Sequence, residues 1–190
     1  MKRDIQERIR NHPCYCSGAH LKYSRIHLPV APKCNIQCNY CNRKFDCSNE
    51  SRPGVTSEVL DPQEALAKVI AAKHQLPNLS VAGIAGPGDA LANPDETFRT
   101  FELIRRYDPK LKLCLSTNGL ELYKYADRIS EVGVEHVTVT MNALEAETAA
   151  KLYSSVKTDK GVLHGKEAAQ FLLNRQIEGI KKLIENDCIV

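Results

Sequence analysis

The sequence predicts an α/β fold, a parallel sheet with its helices on the outside, and three observations carry that prediction. Short apolar segments alternate four times with segments of helical periodicity, the pattern that builds parallel sheets through right-handed crossovers. The apolar segments read as strands covered by helices on at least one face. The unusual residues also fall together: a cysteine-rich loop, Gly86-Pro87-Gly88-Asp89, Ser116-Thr117-Asn118-Gly119 and Met141-Asn142 each follow a strand. That carboxyl edge is where parallel α/β folds and barrels place their active sites.

The elements follow in order. Residues 2–10 are expected to form a short helix, ended at His12-Pro13 because the residue before a proline avoids the helical region. Residues 13–25 mix Cys14, Cys16 and His20 with polar groups of no clear period and read as a loop. Residues 25–31 have strand character, although Pro29 argues against a central strand. Asp61-Pro62-Gln63-Glu64 offers an N-cap, a proline at the first helical position and an acidic first turn. Ala65, Leu66, Val69 and Ile70 then recur at helical spacing. Residues 79–85 are the next strand, and Asn93-Pro94-Asp95-Glu96 opens a helix to about residue 107. A strand over 111–116, a helix through 132, a strand over 136–140 and a helix through about 152 come next. A long helix is expected over 166–186, and Cys188-Ile189-Val190 reads as the opening of one more strand. Residues 1–25 are accordingly an N-terminal extension carrying cysteines and histidines, and 26–190 are the sheet-and-helix unit.

Composition narrows the function classes. The 190 residues suffice for one domain with a real core. An apolar content of 43% and a charged content of 26% are those of an ordinary globular protein. The net charge of +3 is too mild to argue for nucleic acid, and no block of five like charges occurs. No apolar run approaches the length of a membrane span. The start, Met-Lys-Arg-Asp-Ile-Gln-Glu-Arg-Ile-Arg, lacks the apolar core of a signal peptide. The expectation is a cytoplasmic protein without nucleic-acid or membrane partners. In that compartment eight cysteines serve metal or chemistry more readily than disulfides.

Cys34, Cys38 and Cys41 stand in a C-x3-C-x2-C arrangement. A closed mononuclear zinc site takes four ligands, whereas an iron–sulfur cube held by three thiolates leaves its fourth iron open to a small molecule. The triad therefore points to a [4Fe–4S] cluster with an open iron; its bland alternative is three buried or disulfide-bonded cysteines. Gly86 and Gly88 permit close approach of backbone to a ligand, or simply make a strand-to-helix turn. Thr117 and Asn118 suit a ribose or an amino-acid headgroup, or an ordinary turn. Asn142 needs a partner for its amide, from a ligand or a neighbouring backbone. Taken alone, Cys114, Cys188 and His27 read as core residues. Cys14 and Cys16, beside His12 and His20, favour metal.

The triad after a first strand, with Tyr40 just before its last cysteine, resembles the signature of the radical S-adenosylmethionine (SAM) enzymes, whose usual Gly-Gly-Glu appears here as Gly86-Pro87-Gly88-Asp89. The runs His12-Pro13-Cys14, Arg25-Ile26-His27, Val30 through Cys47, and Ala85 through Asp89 closely resemble the NifB family of nitrogenase cofactor maturases. The resemblance implies a partial TIM-like (β/α) barrel, open because the chain stops near the fifth strand, since the family continues with further strands and a downstream Cys-x-x-Cys. It implies that Cys34, Cys38 and Cys41 hold the SAM-binding [4Fe–4S] cluster. Additional [4Fe–4S] precursor clusters would fall to His27, Cys47 and Cys114, and to Cys14. SAM contacts would come from Tyr40, Gly86, Gly88, Thr117, Asn118 and Asn142, with Glu50 near the methyl-transfer site. Cys16 stands where the family has another residue.

The implied activity is fusion of two [4Fe–4S] clusters with insertion of a SAM-derived carbide, giving the nitrogenase cofactor precursor. One SAM would donate a methyl group, and the radical from a second would abstract a hydrogen from it. The implied partners are iron–sulfur cluster donors, cofactor carriers of nitrogenase assembly and a reductant protein. Two alternatives stand beside this. A radical SAM activase or peptide-modifying enzyme needs only the three-cysteine loop, and an iron–sulfur scaffold would hold clusters without cleaving SAM.

Overall fold

The computed structural model describes residues 4–42, 44, 46–49 and 58–190. In chain order it contains α1 (Ile5–Ile9), β1 (Ser24–His27), β2 (Ile36–Cys38), α2 (Pro62–Gln75), β3 (Leu79–Ile84), α3 (Pro94–Tyr107), β4 (Lys112–Thr117) and α4 (Leu122–Glu131). There follow β5 (Val134–Val139), α5 (Ala146–Leu152), β6 (Tyr153–Thr158), β7 (Gly161–Leu163) and α6 (Gly165–Glu185). Strands β1, β3, β4 and β5 lie in that order in one parallel sheet. Helices between successive strands cover one face of it, as the alternation of the sequence requires. The sheet is an arc of a barrel and does not close among the described residues. At the β5 edge the next strand opens as expected: Val137 N–H donates to the Ile189 carbonyl, and Ile189 N–H to that of Glu135, both at 2.8 Å. Among the described residues no helix is long and apolar enough to cross a membrane.

The two faces of the sheet differ because side chains alternate along a strand. On the helix-covered face Ala82, Ile84, Leu113, Leu115 and Val137 join one core with Val69 of α2, Phe98, Phe101 and Ile104 of α3, Ile129 of α4 and Leu183 of α6. Full burial of each large apolar side chain contributes roughly 1.5–3 kcal/mol. Helix α2 starts as its sequence dictates. The Asp61 carboxylate accepts from Gln63 N–H and Glu64 N–H at 2.8 Å, and Glu64 reaches back to Asp61 N–H, a reciprocal cap worth ~1 kcal/mol. Helix α6 crosses α4 so closely that a Cβ at Gly179 would sit 2.6 Å from the Leu122 Cβ.

Three features depart from the expected elements. The strand expected over 25–31 is β1, Ser24–His27, followed by a single bridge at Ala31. Pro29 has no N–H for the ladder, and the chain leaves the sheet there. The segment between α5 and α6 is a hairpin, β6 with β7, turning at Gly161 with φ +132°. The cysteine loop itself contains β2, which pairs antiparallel with β6. Tyr153, Ser155 and Lys157 alternate too weakly with their neighbours to announce such a strand.

The inner face of the sheet is polar. The register aligns His27, Gly83, Cys114 and His136 in one row across four strands. The N-terminal segment lies against this face. Lys112 Nζ donates to the Arg8 carbonyl at 2.5 Å, Ser80 Oγ to the Asn11 carbonyl at 2.7 Å, and the Tyr15 hydroxyl meets Thr138 Oγ1 at 3.0 Å. The His12 ring lies 4.4 Å from that of His136 and both are fully buried. His12 Nε2 and both ring nitrogens of His136 have no hydrogen-bond partner among the described residues.

Burial, reinforced by nearby cationic groups, lowers His12 to about 3 and His136 to about 4. Both rings are therefore neutral when folded and charged when unfolded below pH ~6.5. The folded chain binds fewer protons than the unfolded one in that window, so stability is lost as pH falls from ~6.5 toward 4, by up to ~1.4 kcal/mol per pH unit for each ring. Denaturant midpoints of the metal-free chain are expected to fall across this window. His136→Phe, which keeps a ring there, is expected to flatten the slope relative to the parent.

Candidate functional site

The cysteine loop is anchored from four directions. At its root the Asn93 side chain brackets the Lys33 peptide: Lys33 N–H donates to Asn93 Oδ1 at 3.1 Å, and Asn93 Nδ2 donates to the Lys33 carbonyl at 2.8 Å. Lys157 N–H of β6 donates to the Asn35 carbonyl at 2.8 Å, and Asn39 N–H and Nδ2 donate to the Leu152 and Lys151 carbonyls at the end of α5. Gln37 closes the turn from inside, its amide donating to the carbonyls of Cys38 and Cys41 at 2.9 and 3.1 Å. From just past β4, Asn118 Nδ2 donates to Asn35 Oδ1 at 2.7 Å and lies 3.7 Å from Cys34 Sγ.

These anchors hold Cys34, Cys38 and Cys41 on one pocket at the carboxyl edge of the sheet. Its other lining residues include Cys47, Gly88, Asp89, Ser116, Thr117, Asn118 and Thr140. All three thiols are free. Burial pushes Cys38 up to about 11, with the neighbouring thiols Cys34, Cys47 and Cys41 adding to the shift. A metal that takes this sulfur as thiolate must therefore displace its proton. Tyr40 reaches across the mouth: its hydroxyl donates to Asn49 Oδ1 at 3.0 Å and accepts from the Asn142 amide.

Asp89 organises the floor. Its buried carboxylate accepts from Asn118 N–H at 2.6 Å, Thr117 Oγ1 at 3.0 Å, Leu91 N–H at 3.0 Å and Ala92 N–H at 3.3 Å. Burial pushes its pKa up against the pull of these donors. One side chain thus joins the turn after β3 to the end of β4. The Thr117 hydroxyl is given to Asp89, and Asn118 Oδ1 accepts from Leu120 N–H at 2.9 Å. Behind them Gln176 of α6 donates to the carbonyls of Asn118 and Thr140 at 2.7 and 3.0 Å. Gly86 adopts φ +138°, open to glycine and strained for other residues. The close approach made at Gly88 is to the cysteine loop, since a Cβ there would lie 2.2 Å from the Lys33 carbonyl oxygen.

The remaining expected residues divide between this pocket and the inner face. Cys47 lies over the Gly86 turn, its Cβ 4.0 Å from where a Gly86 Cβ would stand. His27 and Cys114 occupy the inner row with Gly83 between them, and the Arg25 guanidinium comes within 3.3 Å of the Cβ position of that glycine. Arg25 also donates to Cys14 Sγ, which brings the N-terminal cysteine to the same face. Cys16 is partly exposed, and Cys188 packs against the outer core. Glu50 lies outside the described residues. Among the described residues no three His, Cys, Asp or Glu side chains converge as a single metal ion requires. A four-iron cube takes each thiolate on a different iron and has no need of that convergence.

Sequence reasoning missed Asn93, Asn35, Gln176, Arg25 and His136 as parts of this arrangement. Asn93 read as a helix cap, and Gln176 sits at a core position of a long amphipathic helix where only its polarity was a signal. His136 lay in an apolar strand, where a buried imidazole was the signal to follow.

Comparison with known proteins agrees with this geometry. The Radical SAM superfamily model matches residues 28–187. The chain is 54% identical over 98% of its length to the FeMo cofactor biosynthesis protein NifB of Klebsiella pneumoniae, covering 40% of that protein. It is 54% identical over 96% of its length to NifB of Bradyrhizobium diazoefficiens, covering 36%, and 44% identical over 98% to NifB of Azotobacter vinelandii, covering 37%. The chain thus spans about two fifths of the length of these curated relatives. Three thiols on a strand-end pocket, an open parallel sheet and a family match over most of its residues establish that the chain belongs to the radical SAM superfamily.

Proposed function

We propose that this chain is the radical SAM portion of a NifB-type maturase, an enzyme that joins two [4Fe–4S] clusters and inserts a SAM-derived carbide to make the nitrogenase cofactor precursor. The observation that carries this reading is that cysteines gather at two places on one arc of sheet: the triad pocket at its edge, which Cys47 also lines, and the inner face, where His27 and Cys114 share a row and Arg25 draws in Cys14. A radical SAM enzyme of another type has use for the first site only.

On this reading Cys34, Cys38 and Cys41 hold the [4Fe–4S] cluster, which when bound supplies the electron that cleaves SAM reductively. The pocket suits that group. Its three thiols are free and partly or wholly sheltered, the Asn118 amide stands within 3.7 Å of Cys34 sulfur, and hydrogen bonds to cluster sulfur tune its potential. The Asp89 carboxyl group is held by donors from Thr117 and Asn118. SAM would lie along the strand ends, against Gly86, Gly88, Thr117, Asn118, Asn142 and the Tyr40 backbone. The precursor clusters are substrates: one would rest on His27, Cys47 and Cys114, the other on Cys14 with ligands from elsewhere. Glu50 is proposed to act near the methyl-transfer site. Residues 1–25 serve as the extension that carries Cys14 over the inner face of the unit formed by 26–190. Cluster donors, cofactor carriers and a reductant protein are the proposed partners, in the cytoplasm.

Anaerobically reconstituted and dithionite-reduced chain is expected to convert SAM to 5′-deoxyadenosine. No product above a Cys38→Ala control would overturn the enzyme reading for this chain and leave the scaffold reading. Iron counting separates the two enzyme types. Cys47→Ala and Cys114→Ala are each expected to lower bound iron by up to about four per chain, one cube's worth; unchanged iron would favour an activase or peptide-modifying enzyme.

A further inference from the structure

Asn93 stands at the N-cap of α3, yet its side chain makes no capping hydrogen bond. An asparagine there normally accepts from the second or third helical N–H, a contact worth ~1 kcal/mol. The amide is spent elsewhere. Its oxygen accepts from Lys33 N–H at 3.1 Å, and its nitrogen donates to the carbonyls of Lys33 and Asp89, each at 2.8 Å. The residue is 2% exposed, so these bonds form out of competition with water. Lys33 is the residue before Cys34, and both polar groups of its backbone are held by one side chain. Asp89 N–H adds a second donor to the Lys33 carbonyl at 2.8 Å.

We propose that Asn93 is a positioning residue for the cysteine loop: it clamps the Lys33 peptide, fixes the direction in which Cys34 leaves the sheet edge, and so sets the geometry of the SAM-binding cluster. This rests on the reading of Cys34, Cys38 and Cys41 as cluster ligands. The chemistry at this position is narrow. A primary amide carries its acceptor and its donors on two atoms about 2.2 Å apart, so one side chain accepts from the Lys33 N–H and donates to its carbonyl at once. Serine restores a good cap and is too short to span the peptide; aspartate accepts and does not donate. The chain forgoes a cap on α3 and gains a fixed direction for the backbone that enters Cys34.

Asn93→Ser separates the two roles because they move in opposite directions. In the metal-free chain the melting temperature is expected to fall by a few degrees at most, since the new cap, ~1 kcal/mol, offsets part of the lost side-chain hydrogen bonds, roughly 0.5–1.5 kcal/mol each. Amide hydrogen exchange at Lys33 is expected to quicken about tenfold, the measure of one lost hydrogen bond. In the reconstituted, reduced chain the share of the cluster whose electron paramagnetic resonance signal shifts on adding SAM is expected to fall. Asn93→Asp is expected to keep Lys33 N–H protected while also losing the SAM-dependent shift. Unchanged Lys33 exchange and an unchanged SAM shift would overturn the proposal, whatever the melting temperature, and make Asn93 a structural residue only. Failure of the unsubstituted chain to take up a SAM-responsive cluster would overturn the reading of the triad instead, while the exchange measurement would still report on the clamp.

Discussion

Three thiols within eight residues gain nothing from packing on one another, so their arrangement has to be imposed by the backbone that carries them. In this chain the imposition runs through the buried Asp89 carboxylate and the Lys33 peptide. Asp89 is buried among donors from the β3 turn and from the end of β4, and a carboxyl group is tolerated at such a depth only because those donors satisfy its oxygens. Its backbone N–H and the Asn93 amide then hold Lys33. The cysteine loop is consequently tied to two strand ends that are themselves part of the sheet. The Gly88 position enforces the contact, because any side chain there would strike the Lys33 carbonyl.

The same sheet presents two unlike faces. The helix-covered face is a continuous apolar core built from alternate residues of β3, β4 and β5. The other face presents Arg25, His27, Cys114, His136 and Thr138, residues that would be poor choices for a protein whose barrel interior existed only to be filled. Gly83 leaves room between His27 and Cys114, and the Arg25 guanidinium extends toward that room and toward Cys14. A cationic, sulfur-bearing interior of this kind is what the proposed function would require. It is a costly interior for a purely structural role.

The parts of the fold that depend on long apolar periods were legible in the sequence. The parallel strands, the capping box of α2, the long helix α6 and the opening of a further strand at Ile189 all announce themselves through burial patterns or cap chemistry. The β6–β7 hairpin and β2 were not legible, because three- to six-residue strands pairing a serine-rich segment with a cysteine loop owe their form to tertiary contacts rather than propensity. At the site, the cysteines were visible as residue types at a fixed spacing. Asn93 was invisible for a different reason: its sequence neighbourhood, Asn-Pro-Asp-Glu, satisfies the rule for a helix start, and the rule hides the fact that the side chain is used on a peptide sixty residues away. Gln176 and Asn35 carry no sequence signal beyond being polar.

The inner face also explains why this fold needs so complete an outer core. His12 Nε2 and both nitrogens of His136 are buried without partners among the described residues, and an unpaired buried polar group costs roughly 1–3 kcal/mol. Asp89 adds the desolvation of a carboxylate, and Asn93 withholds a cap from α3. None of these choices stabilises the apolar core, and together they approach the whole margin of an ordinary domain, ~5–15 kcal/mol. They are offset on the opposite side of the same strands, where Phe98, Phe101, Ile104, Leu113 and Leu115 are fully or almost fully buried. Alternation along a strand thus lets a single residue-by-residue pattern place the stabilising burial on one face and the destabilising chemistry on the other. Slipping any of β3, β4 or β5 by one residue would exchange the two faces, so the register that builds the core is also what puts Cys114 in the inner row and Thr117 at the pocket floor.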